Sequence, residues 1–145
     1  MRTNEAGLAL IKRFEGFRSR PYKCPAGVWT IGYGHTRGVT ARTPPATMEQ
    51  AEEFLRLDLA DSERIVGNFT RAVLNENEFS ALASLCFNIG SGNYLKSTLL
   101  AKLNGGDRIG AANEFPRWNR SNGAILPGLV SRRAAERELF LRPVA

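Results

Sequence analysis

EGFRSRPYKCPAGVWTIGYGH, residues 15–35, decides how the chain is read. Upstream of it Leu8, Ile11 and Phe14 recur at helical spacing, with Thr3 as the expected cap and Gly16 as the stop, so Glu15 falls at the C-terminal edge of a helix. From Pro21 onwards the pattern changes. Tyr22, Val28, Trp29, Thr30, Ile31 and Tyr33 are strand formers, broken by Pro25, Gly27, Gly32 and Gly34, and they predict short strands joined by tight turns. The segment therefore sets one carboxylic acid beside a β-hairpin.

Working outward, residues 40–45 read as a loop, and Thr47-Met-Glu-Gln50 as a capping box opening a helix that runs towards Val66. Asn75 opens another, with Phe79, Leu82, Ala83, Cys86 and Ile89 on one stripe and Gly90 as its end. Ser97 precedes a short helix stopped by Gly105, and Asp107 starts one that is halted near Pro116. After the loop SNGAILPG, residues 121–128, a last helix carries VSRRAAERELFL. No repeats or linkers interrupt this order, and residues 21–35 are the one convincing β region. Helix, small sheet, then helices to the end predicts an α+β fold.

At 145 residues with 43% apolar composition, the chain is sized for one domain, 1–145. No stretch reaches the roughly 18 apolar residues of a membrane span, and MRTNEAGLALIKRFEG lacks the basic-then-apolar order of a signal peptide. The expected location is the cytoplasm, with no stable membrane association. Cys24 and Cys86 fit that compartment as free thiols. His35 is the only histidine and no Cys/His cluster surrounds it, so neither a metal nor any other cofactor is expected. The net charge of +6 favours a polyanion. Nucleic acid is not the expected one, because no nucleic-acid motif is present and the aromatics do not interleave with the basic residues as a stacking platform would. Bacterial wall is the other anionic candidate.

Glu15, then eight residues, Cys24, then five residues and Thr30 at the head of TIGYGH: this spacing resembles the active-site segment of phage-type lysozymes, the endolysins of glycoside hydrolase family 24. Position 24 in that family is usually Asp, and some members carry Cys. The resemblance implies a lysozyme-like fold with a small N-terminal β-hairpin lobe, about 15–45, and a larger helical lobe, about 47–145 plus the N-terminal helix. It implies Glu15 as general acid, with Cys24 and Thr30 holding the attacking water or acting as nucleophile, in a cleft between the lobes. FNIGSG at residues 87–92 looks like the family's cleft floor, which implies Phe87 and Asn88 against the saccharide. Ser97 and Asn113 match further cleft positions. Arg117-Trp118 and LPGLVSRRAAE also look like family sequence, implying that Arg132 or Arg133 closes the site near Glu15. The match sets Asp58 opposite His35 as a structural ion pair.

Other readings fit the residues less well. A Cys24–His35 peptidase pair conflicts with a thiol followed by Pro-Ala-Gly in a β region, since such nucleophiles usually open a helix. Cys86 lies on an apolar stripe and reads as core. For Cys24 to act as a carboxylate does, its site must draw the thiol towards thiolate, and Lys23 is the neighbouring cation. The expected function is hydrolysis of the β-1,4 bond between N-acetylmuramic acid and N-acetylglucosamine in peptidoglycan, leading to host cell lysis. The expected state is a monomer that leaves the cytoplasm through a holin-type membrane pore. Alternatives are a lytic transglycosylase and a non-catalytic basic module binding wall or nucleic acid.

Overall fold

The computed structural model describes residues 1–144. Helices α1 (Glu5–Glu15), α2 (Met48–Phe69), α3 (Glu76–Ile89), α4 (Ser91–Leu95), α5 (Thr98–Asn104), α6 (Arg108–Ala112) and α7 (Pro127–Leu141) alternate with two hairpins, β1 (Arg18–Lys23) with β2 (Trp29–Gly32) and β3 (Arg120–Ser121) with β4 (Ala124–Ile125). A 3₁₀ turn covers Phe115–Arg117. These elements form two compact units, one of residues 12–60 and one of residues 1–11 with 61–144.

In the 12–60 unit, β1 and β2 pair antiparallel in the register Tyr22 with Thr30 and Lys23 with Trp29, and a bulge on β1 then brings Arg18 opposite Gly32. Ile31, Ala51, Leu55 and Leu59 are buried, which gives the hairpin and the first half of α2 an apolar core. The His35 ring stacks on Phe54 at 4.4 Å, joining the hairpin's exit to α2. That helix starts as its sequence dictates. Gln50 N–H donates to Thr47 Oγ1 and Thr47 N–H to Gln50 Oε1, at 3.1 and 2.9 Å, which satisfies two amides that would otherwise lack partners.

The other unit is built around α3, whose residues 77–86 are all buried. Phe79, Leu82 and Leu85 join Leu99, Leu103, Phe115, Leu139 and Phe140 in one cluster, and each such side chain contributes about 1.5–3 kcal/mol by leaving water. α3 also carries a capping box, Asn75 with Glu78. Asn75→Ala is expected to lower stability by about 1 kcal/mol, read as a fall in the thermal midpoint; an unchanged midpoint would show that the cap is redundant.

Local details differ from the sequence reading. Thr3 does not cap α1: its N–H and hydroxyl both donate to Glu63 Oε2, at 2.6 and 2.8 Å, and Asn4 Oδ1 receives the Gly7 N–H instead. Residues 121–128 are not a plain loop, because Asn122 and Gly123, at φ +50° and +80°, form the tight turn of the second hairpin.

Candidate active site

Glu15 is the last residue of α1 and only partly buried. Its carboxylate lies against the backbone of Gly34, where an added methyl would stand 2.8 Å from Glu15 Oε1. Gly34 also sits at φ +82°, a conformation that side chains disfavour. The second glycine of GYGH thus serves two ends, turning the chain and leaving room for the acid. Gly34→Ala is expected to cost about 1–2 kcal/mol of stability and to lower kcat by displacing the carboxylate. Both are read from thermal melts and turnover on purified wall, and wild-type kcat in a correctly folded variant would remove Gly34 from this role.

Cys24 opens the turn that joins β1 to β2, closed by Gly27 N–H to Cys24 O at 2.8 Å and Cys24 N–H to Val28 O at 3.0 Å. The Val28 N–H is the strongest influence drawing the thiol below its ordinary value; partial burial opposes it, and the Ala26 N–H and the Thr30 hydroxyl add to it. Lys23 is not the cause, for its ammonium lies over the Trp29 ring at 5.5 Å. Thr30 is buried, with its Oγ1 2.9 Å from Val28 O.

His35 Nδ1 lies 2.8 and 3.1 Å from the Asp58 carboxylate oxygens, which can only accept. Glu15, Cys24, Thr30, His35 and Asp58 all belong to the 12–60 unit.

The other candidate residues belong to the larger unit. Phe87 is half-buried and Asn88 exposed near the C-terminal end of α3. Asn88 Oδ1 accepts from Arg133 Nη2 at 2.6 Å, and Asn88 lines a groove of about 380 Å³ with Trp118, Arg120 and Leu126. The Ser97 hydroxyl is committed to the backbone: it caps α5 through Leu100 N–H and donates to Tyr94 O. Asn113 is exposed and accepts from Arg137. Arg132 and Arg133 are buried beside Glu136, a fully buried carboxylate that sequence reasoning missed. Glu136 receives the Ser84 hydroxyl at 2.5 Å and lies 2.9 Å from Arg133 Nε and 3.4 Å from Arg132 Nε. Burial pushes its carboxyl up against the opposing pull of the two arginines, and pulls Arg133 down to about 10. The contact at 2.9 Å is an ion pair by distance without hydrogen-bond alignment, and Arg133 Nη1 has no partner among the described residues. The helical i, i+3 and i, i+4 spacing of Arg133, Arg132 and Glu136 was the available signal.

The hairpin and the helical unit are those of a lysozyme-like glycoside hydrolase. The family model described as phage lysozyme matches residues 12–136, and the chain belongs to that family. It is 46% identical over 144 residues to an endolysin of Acyrthosiphon pisum secondary endosymbiont phage 1, covering 97% of this chain and 98% of the relative. An endolysin of Bacillus phage PZA is 41% identical over 142 residues, 97% of this chain; the chain spans about half the length of that relative, 55%. Among solved structures, the muramidase domain of SpmX from Asticaccaulis excentricus superposes with a TM-score of 0.91 at 39% identity, over 98% of this chain and 99% of that one.

Proposed function

We propose that the chain is an endolysin that cleaves the β-1,4 bond from N-acetylmuramic acid to N-acetylglucosamine in bacterial peptidoglycan, and so lyses the host. Glu15 gives its proton to the departing glycosidic oxygen as the bond to the anomeric carbon breaks. Cys24 and Thr30 serve that carbon with the incoming oxygen of water, either by holding the water or by a covalent step that water then resolves. Phe87 and Asn88 bind saccharide, while His35 with Asp58, and Arg132 with Arg133, have supporting structural roles. Release to the wall through a holin-type pore, and action as a monomer, belong to the same proposal. Among the described residues no helix is long and apolar enough to cross a membrane.

One observation carries this reading. The Glu15 carboxylate is seated on a glycine backbone, in the same compact unit as Cys24, whose thiol the turn draws below its ordinary value. The test is mass spectrometry of wall digested by the purified protein. Hydrolysis leaves reducing muramic acid ends. Anhydro ends would replace the proposal with a transglycosylase, and intact wall would replace it with a binding module.

A further inference from the structure

Arg18 lies on the same face of the first hairpin as the catalytic pair. Residues paired directly across an antiparallel ladder project to one side, so Tyr22 shares a face with its partner Thr30, and Arg18 shares that face through its partner Gly32, two residues on from Thr30. Cys24, whose sulfur the Thr30 hydroxyl addresses, follows Tyr22 at the same alternation. Lys23 and Trp29 form the rung on the opposite face. A stripe therefore runs along the hairpin from Cys24 and Thr30 to Tyr22 and then Arg18, spanning at most about 13 Å from Tyr22 to Arg18.

Most exposed arginines are simply solvated, but this one is held. The Arg18 guanidinium stands 4.6 Å from the centre of the Tyr22 ring. Stacking on a ring fixes the plane of the fork and leaves its N–H edges open to a planar anion. No carboxylate of the protein fills them, because Arg18 is exposed and takes part in no ion pair among the described residues.

We propose that Arg18, braced by Tyr22, is a specificity-determining residue that takes a carboxylate carried by the glycan strand beyond the sugar at the catalytic pair. The inference rests on the proposed hydrolysis of peptidoglycan, whose muramic acid units bear a lactyl side chain extended by acidic peptide. Bidentate pairing of guanidinium with carboxylate is the interaction that such a stacked fork offers. It acts on binding, since the group recognised is remote from the bond that breaks.

Initial rates on native sacculi, and on sacculi whose carboxylates have been amidated with carbodiimide, test it. Arg18→Gln is expected to raise the apparent KM on native sacculi about fivefold, the effect of an exposed pair worth about 1 kcal/mol, with kcat within twofold of wild type. Arg18→Lys, which keeps charge and loses the fork, should fall between. On amidated sacculi wild type and Arg18→Gln should coincide. Arg42→Gln removes the same charge from another exposed position of the same unit and should behave as wild type. The inference is overturned if Arg18→Gln matches wild type on native sacculi, if its defect persists on amidated sacculi, or if Arg42→Gln reproduces it. Wild-type protein that leaves native sacculi uncut would instead overturn the proposed hydrolysis and this inference with it.

Discussion

Glu15→Gln is expected to lower kcat on purified peptidoglycan by about 10²–10⁴-fold, the usual contribution of a positioned general acid, while the protein melts within a few degrees of wild type. The amide has the shape of the carboxyl group and fits the space that Gly34 leaves open. It can donate a hydrogen bond, but it has no proton to transfer to a departing oxygen. Loss of activity with retained fold therefore isolates proton transfer from positioning. Retention of more than about a tenth of wild-type turnover would remove Glu15 from the role, whatever its place in the fold.

The second large effect concerns the sulfur. Cys24→Ala is expected to lose on the order of 10²-fold in kcat, because it removes the group addressed by Val28, Ala26 and Thr30 and leaves water at the site unheld. Alkylation separates the sulfur's position from its charge. Iodoacetamide should react with Cys24 and not with Cys86, whose thiol burial pushes up and shields, and the adduct should block lysis by filling the site. Because the thiol is drawn below its ordinary value, its alkylation rate should climb and level off at lower pH than that of a free cysteine. Thr30→Val removes one donor to the thiolate and should move that curve towards higher pH. Cys24→Asp, which restores a permanent carboxylate, should stay active and resist the reagent. Normal lysis by Cys24→Ala, or by protein alkylated at Cys24 as shown by peptide mapping, would make the sulfur a bystander.

How far the sequence revealed this protein depends on how local each signal was. The first hairpin, the capping boxes at Thr47 and Asn75 and the caps at Ser97 and Asp107 are written in adjacent residues, and they were legible from spacing alone. The family followed from Glu15, Cys24 and Thr30 through resemblance, since nothing in the physics of an isolated glutamate separates a catalytic one from a solvated one. The second hairpin was missed because its strands are two residues each, too short to alternate, and only Asn122-Gly123 announces it. At the amino end the sequence named Thr3 as the cap of α1. The choice was made by Glu63, sixty positions away, which claimed Thr3 and left the cap to Asn4. Glu136 escaped notice for a similar reason. Three charged residues within one helix turn look like a solvated surface, and only packing against α3 turns them into a buried ion cluster. Lys23 was the obvious neighbour to lower a thiol, yet a backbone amide of the turn has the largest influence, and the lysine's own ammonium found an aromatic ring.

Thr30 has one hydroxyl proton and two acceptors within reach, the Val28 carbonyl and the Cys24 sulfur. When the thiol is neutral the carbonyl claims that proton, and when the sulfur is ionised it makes the stronger acceptor. Swinging the hydroxyl across would ordinarily orphan a carbonyl. Here it does not, because Val28 O also receives the Cys24 N–H at 3.0 Å and stays bonded in either state. The sulfur can therefore gain or lose a proton with the Thr30 hydroxyl turning from one acceptor to the other and the Val28 carbonyl hydrogen-bonded throughout.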